Sequence, residues 1–270
     1  MSTRTPTVLE RILAETRAAL EQRKREAPQP GAAPRASTAA AGRPFRDALT
    51  RPGMGVIAEF KRRSPSAGAL REGADVGELL RAYERGGAVA ASVLTEGPNF
   101  GGSLDDLRAA REACALPLLR KDFIIDRFQL HEARAAGADA VLLIVAALEQ
   151  DELSALHAGA RQLGLDALVE VHDQRELERA LALPADIIGI NNRDLRDFSV
   201  DVERSSRLAA QIPRGVAVVS ESGIASSRQL EDLQGHGVHA VLVGESLMRA
   251  TDPAAALGEL KSFREADGNV

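Results

Sequence analysis

Charged side chains stand at the ends of short apolar runs in this sequence, where strand packing alone has no use for them. The first run, VIAEFK from Val56, carries Glu59 and Lys61. They are two residues apart, so on a strand they share one face. PLLRKDF from Pro117 carries Lys121, and ALVEVH from Ala167 carries Glu170. IIGINN from Ile187 leads through Asn191 into Arg193. VAVVSES from Val216 ends in Glu221 and Ser222, followed by Gly223, and AVLVGE from Ala240 ends in Gly244 and Glu245, followed by Ser246. A single Lys or Glu at a strand end is ordinarily a solvated rim residue, because such groups are rarely buried unless paired. Ammonium groups, carboxylates, a guanidinium and an amide recurring at successive strand ends can instead move protons and hold an anion. The competing reading of such a set is a buried ion network of structural use only.

The elements that must position these groups follow from the spacing. With AVAASVLTE from Ala88 and AVLLIVA from Ala140, the chain has eight runs rich in Val, Ile and Leu, alternating with amphipathic stretches such as VGELLRAYER and DELSALHAGARQ. Near-continuous apolar strands are covered on both faces, as in a parallel sheet wrapped by helices. Eight strand–helix units predict an α/β fold, a single (β/α)8 barrel. A length of 270 residues holds one such barrel, typically about 250 residues, with a short extension. The competing open, doubly wound sheet usually begins with a G-x-G-x-x-G turn after its first strand, and that pattern is absent from the sequence. Gly86, Gly87, Gly137, Gly164, Gly235 and Gly237 fall where helices should end in a left-handed residue. In this fold the C-terminal strand ends form the active-site face, and the loops after strands 7 and 8 often hold phosphate through backbone N–H groups. Ser222-Gly223 and Gly244-Glu245 fall in those two loops.

Ahead of the barrel, Leu9, Ile12, Leu13, Thr16 and Leu20 recur at helical spacing and predict an amphipathic helix over residues 8–25. APQPGAAPRASTAAAG, from Ala27 to Gly42, reads as a flexible linker, and Phe45–Leu49 as a short helical turn. The expected division is therefore an N-terminal helix and linker over 1–42 and the catalytic barrel over 43–270.

Composition removes several classes of function. A net charge of −5 gives no basic surface for nucleic acid. No apolar run approaches the roughly 18 residues of a membrane span, so no membrane partner is expected. Glu10, Glu15 and Glu21 near the N-terminus argue against a targeting peptide. A lone cysteine, Cys114, allows no intrachain disulfide and fits a cytoplasmic location. The histidines His131, His157, His172, His236 and His239 have no Asp or Cys completing a ligand set, so no metal site is expected. Cys114, with no placed base, reads as inert packing, and Asp139 as turn chemistry.

IAEFKRRSPS over 57–66 resembles the signature of the indole-3-glycerol-phosphate synthase family. So do LLRKDFIID around Lys121, LVEVH around Glu170, GINNRDL around Asn191, SESGI around Ser222 and VGESLM around Gly244. The motifs run in order over 57–248, nearly the whole barrel. Asp197 departs from the threonine expected after RDL. The resemblance implies ring closure of 1-(2-carboxyphenylamino)-1-deoxyribulose 5-phosphate, with loss of CO2 and water, to give indole-3-glycerol phosphate for tryptophan synthesis. It implies no cofactor, and a small phosphorylated substrate as the partner of what is expected to be a monomer.

The resemblance also implies roles. Lys121 matches the general acid that protonates the ketone oxygen, and a lysine, with a reference pKa of about 10.4, is protonated without tuning. Glu170 matches the base. Lys61, oriented by Glu59, holds the carboxylate or shares the acid role. Asn191 holds a hydroxyl, and Arg193 offers a planar fork for a carboxylate. Ser64 and Glu221 are implied substrate contacts. Phe100, Phe123, Leu142 and Leu195 are implied to line the apolar side, and Ser222, Gly223, Gly244 and Glu245 to offer N–H groups to phosphate. The competing functions are a phosphosugar isomerase, which would need no Glu-x-Lys pair beside Lys121, a Schiff-base aldolase, and a non-catalytic phosphate-binding barrel.

Overall fold

The computed structural model describes residues 7–26, 42–194 and 199–262. Eight parallel strands close into a barrel: β1 Gly55–Phe60, β2 Ala90–Leu94, β3 Leu118–Lys121, β4 Ala140–Ile144, β5 Asp166–Val171, β6 Ile187–Asn191, β7 Ala217–Glu221 and β8 Ala240–Val243. Each pairs with its sequence neighbour, and β8 closes on β1 with Gly55 opposite Ala240. Two helices precede the barrel, α1 Val8–Glu26 and α2 Phe45–Leu49. The helices after β1 to β7 are α3 Val76–Arg85, α4 Leu104–Ala113, α5 Arg127–Ala135, α6 Gln150–Gln162, α7 Gln174–Leu181, α8 Glu203–Ala209 and α9 Ser227–Gly235. The short α10 Glu245–Arg249 and α11 Pro253–Lys261 follow β8. A two-residue hairpin, Arg63–Ser64 with Gly68–Ala69, stands in the loop after β1.

The strands are apolar on both faces because both faces are packed. Outward residues such as Val56, Val93, Leu118, Val141 and Val169 meet the helices in one core. Inward residues Ile57, Leu119, Leu142, Leu168, Val219 and Leu242 fill the barrel in a second. Side-chain caps start the outer helices on the active-site side. Asp75, Ser103, Asp126, Asp173 and Ser226 accept from the first-turn N–H groups of α3, α4, α5, α7 and α9.

The two leading helices close opposite ends of the inner core. Phe45 and Leu49 of α2, both wholly buried, join it at the N-terminal end, where the Arg46 N–H bonds Asp166 at the start of β5. Arg43 is tied there too, its N–H to Asp139 Oδ1 at 2.7 Å. Asp139 also accepts from the Leu118 N–H and from Arg111, so it joins three segments rather than serving a turn. At the other end α1 lies against the loops after β2 and β3. Ile12 and Leu13 enter the inner core, Glu15 meets Asn99, Arg23 meets Glu132 and Lys24 meets Asp126.

Among the expected helix ends, Gly87, Gly137, Gly164 and Gly237 have positive φ. Gly86 and Gly235 do not. Gly86 is in the right-handed region, and its lack of a side chain serves a close approach instead: a Cβ there would lie 2.8 Å from the Ala254 carbonyl oxygen. Gly235 is the last residue of α9, and the left-handed residue comes two positions later. Residues 27–41, most of the expected linker, lie outside the described residues.

Phe45 is a plug whose removal leaves a hole beneath the barrel. Phe45→Ala should destabilise the fold by about 3–5 kcal/mol, read from urea denaturation midpoints, with kcat retained in the folded protein. A loss below about 1 kcal/mol would mean that the inner core does not depend on this plug.

Candidate active site

Alternation along the strands turns Glu59 of β1, Lys121 of β3, Glu170 of β5 and Glu221 of β7 into the mouth, where all four line one cleft. They come from odd-numbered strands, as the layered filling of such barrels requires. The layer beneath is drawn from even strands and is shaped for them. Ser92 donates to Glu59 Oε2 at 3.4 Å. Gly189 leaves room where a Cβ would stand 2.5 Å from Glu221 Oε1.

Lys121 is the centre of this layer. Its Nζ lies 3.2 Å from Glu170 Oε2 and 3.1 Å from Glu221 Oε2, with both carboxylates 2% exposed. Burial alone would push the ammonium pKa down, but the facing charges of Glu170, Glu221 and Glu59 outweigh it and hold it above the ordinary lysine value. For Glu170, burial favours the neutral acid. Lys121, His172 and a hydrogen bond from Asn191 overcome that and keep it ionised. Glu221 is pushed up to about 7, by burial first, against Lys121 and with the Glu170 charge beside it. Its Oε1 has no hydrogen-bond partner among the described residues. Near neutrality Glu221 is therefore the carboxyl of the pair around Lys121 that takes up a proton first.

Lys61 stands just past the end of β1, and its Nζ is 2.8 Å from Glu59 Oε1. Asn191 is fixed in orientation: its Oδ1 accepts from the Arg193 N–H at 3.0 Å and from Ser222 Oγ at 2.9 Å, which turns its amide nitrogen toward Glu170. Ser222 holds a left-handed backbone, φ 68°, unusual for a residue with a side chain. Asn192 Nδ2 bonds its carbonyl at 3.0 Å. A strained serine so anchored costs about 1–3 kcal/mol, and it stands in the loop after β7 that lines the polar end of the cleft.

The cleft has an apolar wall and a polar end. Phe100 and Phe123, with ring centroids 6.3 Å apart, form the wall with Leu142, Leu94 and Ile144. The polar end continues past Ser64 and Arg193 to Ser222, Gly223, Gly244, Glu245 and Ser246. The Glu245 carboxylate pairs with Arg249 at 3.2 Å, and the first N–H groups of a helix have no partner within it. The cleft and its polar end thus bring together every site residue expected from the sequence except Leu195. Leu195 lies outside the described residues, as does Asp197. Among the described residues no group of three His, Cys, Asp or Glu side chains is arranged to hold a metal ion.

Several residues of the site escaped sequence reasoning. Asp122 and Ser66 line the cleft. Arg120, 1% exposed, points the opposite way from Lys121, into the helix layer. There it meets Asp122 at 2.8 Å, Thr95 at 3.0 Å and the Gln129 carbonyl at 2.7 Å. The run Arg-Lys-Asp on one strand was the available signal. His172, buried between two glutamates, had none beyond standing two residues after Glu170.

Parallel strands closed on a charged layer, with a cleft ending at the loops after β7 and β8, define a (β/α)8-barrel enzyme for a small anionic substrate. The indole-3-glycerol phosphate synthase family model matches residues 9–260, and the chain belongs to that family. It is 54% identical to indole-3-glycerol phosphate synthase 2 of Streptomyces coelicolor over 82% of this chain and 86% of the relative. With the synthase of Mycobacteroides abscessus it shares 49% identity over 94% and 93% of the two chains. The fold alone is shared with a thiamine phosphate pyrophosphorylase from Pyrococcus furiosus, at TM-score 0.57 and 18% identity, covering 80% of this chain and 96% of that one.

Gly244 backs onto the Glu59–Lys61 pair: a Cβ there would lie 2.6 Å from Glu59 Oε1. Gly244→Ala should displace that carboxylate and Lys61 with it. The expected loss in kcat/KM is roughly 10²-fold for a shift of about 1 Å, measured by steady-state kinetics. Unchanged kinetics would show that the pair does not need its observed position.

Proposed function

We propose that Lys121 and Glu170 divide the proton transfers of the reaction this family carries out. That reaction, which is this chain's, converts 1-(2-carboxyphenylamino)-1-deoxyribulose 5-phosphate to indole-3-glycerol phosphate with release of CO2 and water, in tryptophan biosynthesis. The observation that carries the assignment is a protonated amine fixed between two buried carboxylates beside an aromatic wall. An ammonium has three N–H donors. Glu170 and Glu221 face two of them, which leaves one for the ketone oxygen of a ligand in the cleft.

As the ring carbon bearing the carboxylate attacks the ketone carbon, a C–C bond forms and the ketone oxygen takes the proton from Lys121. The bond to the carboxylate then breaks, CO2 leaves, and its electron pair returns to the ring. Lys121 is reprotonated from solvent after ring closure. In the last step it gives a second proton to the hydroxyl, which leaves as water. Glu170 removes a proton from the carbon next to the ring nitrogen and passes it to the Lys121 amine 3.2 Å away, which resets both groups. Lys61, held by Glu59, and Arg193 bind the departing carboxylate. Asn191 orients a hydroxyl of the sugar chain. Phe100, Phe123, Leu142 and Leu195 receive the aromatic ring, with Ser64 and Glu221 at the edge of the sugar. The N–H groups at Ser222, Gly223, Gly244 and Glu245 take the phosphate, since close backbone approach and a helix start favour an anion. No helix among the described residues is long and apolar enough to cross a membrane. The reading adds a monomer working in the cytoplasm without a cofactor.

General acids contribute about 10² to 10⁴ in rate. Lys121→Ala should therefore lower kcat by at least that much while KM changes little, the pattern of an interaction made mainly in the transition state. Lys121→Arg keeps the charge between the two glutamates but gives up its proton poorly, so it should fold and be nearly as inactive. Either variant keeping more than a tenth of wild-type kcat, with chemistry rate-limiting, would move the acid role to Lys61.

A further inference from the structure

His172 follows Glu170 by two residues, so it faces the same side, one position past the end of β5. It is 7% exposed, and no step above uses it. Its Nε2 lies 3.3 Å from Glu170 Oε1, the oxygen turned away from Lys121, a charge contact rather than an aligned hydrogen bond, since Nε2 has no hydrogen-bond partner among the described residues. Its Nδ1 lies 3.0 Å from Glu176 Oε2, which also accepts the His172 backbone N–H at 2.8 Å. Glu176 is itself seated in the first turn of α7, where its N–H bonds the capping Asp173. Glu170 thus has a charged partner at each oxygen, the Lys121 ammonium hydrogen-bonded to one and the His172 ring within ion-pair distance of the other.

The protonation state follows from the contacts. Glu176 demands a proton on Nδ1. A neutral ring would then turn the Nε2 lone pair toward the Glu170 carboxylate, which repels it. An imidazolium satisfies both carboxylates. Burial opposes that charge, but Glu170 and Glu176 together push the ring up to about 10. The charged groups facing Glu170 across the barrel are Lys121 of β3 and Glu221 of β7, Glu59 of β1 acts on those two, and Glu176 faces the ring from α7.

We infer that His172, clamped by Glu176, is a positioning residue that locks the Glu170 carboxylate in the orientation needed to receive the substrate's proton. The inference rests on the base role proposed for Glu170. A carboxylate on a side chain with three rotatable bonds has several staggered positions. A fixed cation on its far oxygen removes all but one, and the lock extends from the strand to the surface helix through Glu176.

Two readouts test it: the ring titration followed by ¹⁵N-histidine NMR, and steady-state kinetics. In the wild type, the resonance missing from His172→Asn should remain an imidazolium past pH 8. In Glu170→Gln its midpoint should fall by about 1 unit or more, the effect of losing a facing charge. His172→Asn should lower kcat roughly 10-fold or more, as a misplaced catalytic group does, with KM within about 2-fold. Glu176→Gln, which leaves the ring in place, should lower kcat in the same sense by a smaller factor. The titration shift reports the His172–Glu170 charge contact itself, and a purely structural role for that contact would not move kcat apart from KM. A ring titrating near the ordinary value of about 6.5 would overturn the inference. So would wild-type kcat in folded His172→Asn or, if that variant does not fold, in Glu176→Gln. Wild-type kcat in Glu170→Gln would instead overturn the base assignment itself.

Discussion

The contact on which the rest of the site depends is the ammonium of Lys121 against the carboxylates of Glu170 and Glu221. Taking charges out of water costs several kcal/mol per ion even after relaxation, and the cost is recovered only when partners are close and well aimed. The barrel supplies that aim. Strand alternation brings the residues to one level, closure brings strands that are distant in sequence face to face, and the even-strand layer below leaves the space their side chains need. Gly189 and Ser92 make sense only in this light. One gives up its side chain so that Glu221 fits, and the other offers a hydroxyl to Glu59. Removing any member leaves a buried charge without its partner.

The same economy links the cluster to the helix that precedes the barrel. Arg120 and Lys121 are neighbours on β3 but serve opposite faces. Lys121 enters the cleft, and Arg120 binds Asp122 and Glu132 behind the strand. Arg23 of α1 completes the Glu132 carboxylate from outside at 2.8 Å, and Ile12 and Leu13 of the same helix join the apolar core next to Phe123. The docked helix therefore adds apolar surface on one side of β3 and charge on the other. Excluding water there strengthens each electrostatic contact inside.

Much of this was legible in the sequence, for identifiable reasons. The barrel follows from a repeated apolar rhythm, and Lys121 and Glu170 stood out because a charge within an apolar strand needs a use. Pairing was not legible. Nothing local to Lys121 says that residues 49 and 100 positions downstream will share it. Arg120 was passed over because the face on which a strand residue lies flips with each position, so its partners belong to the outer layer. His172 was read only as a metal-ligand candidate that failed, since its partners Glu170 and Glu176 meet it only through the turn between β5 and α7. Gly86 was taken for a left-handed cap, whereas its role is to admit the backbone of α11, a contact between distant segments.

The chain has four lysines, so their side-chain amines can be followed one by one with ¹⁵N-lysine NMR as pH is raised, the Lys121 signal being identified by its absence in a substituted protein. If Lys121 is held between Glu170 and Glu221 as described, its resonance stays that of an ammonium throughout the range near pH 10.4 in which an ordinary lysine loses its proton. A Lys121 amine that titrates at or below that value would contradict the account, because burial would then have won over the two carboxylates.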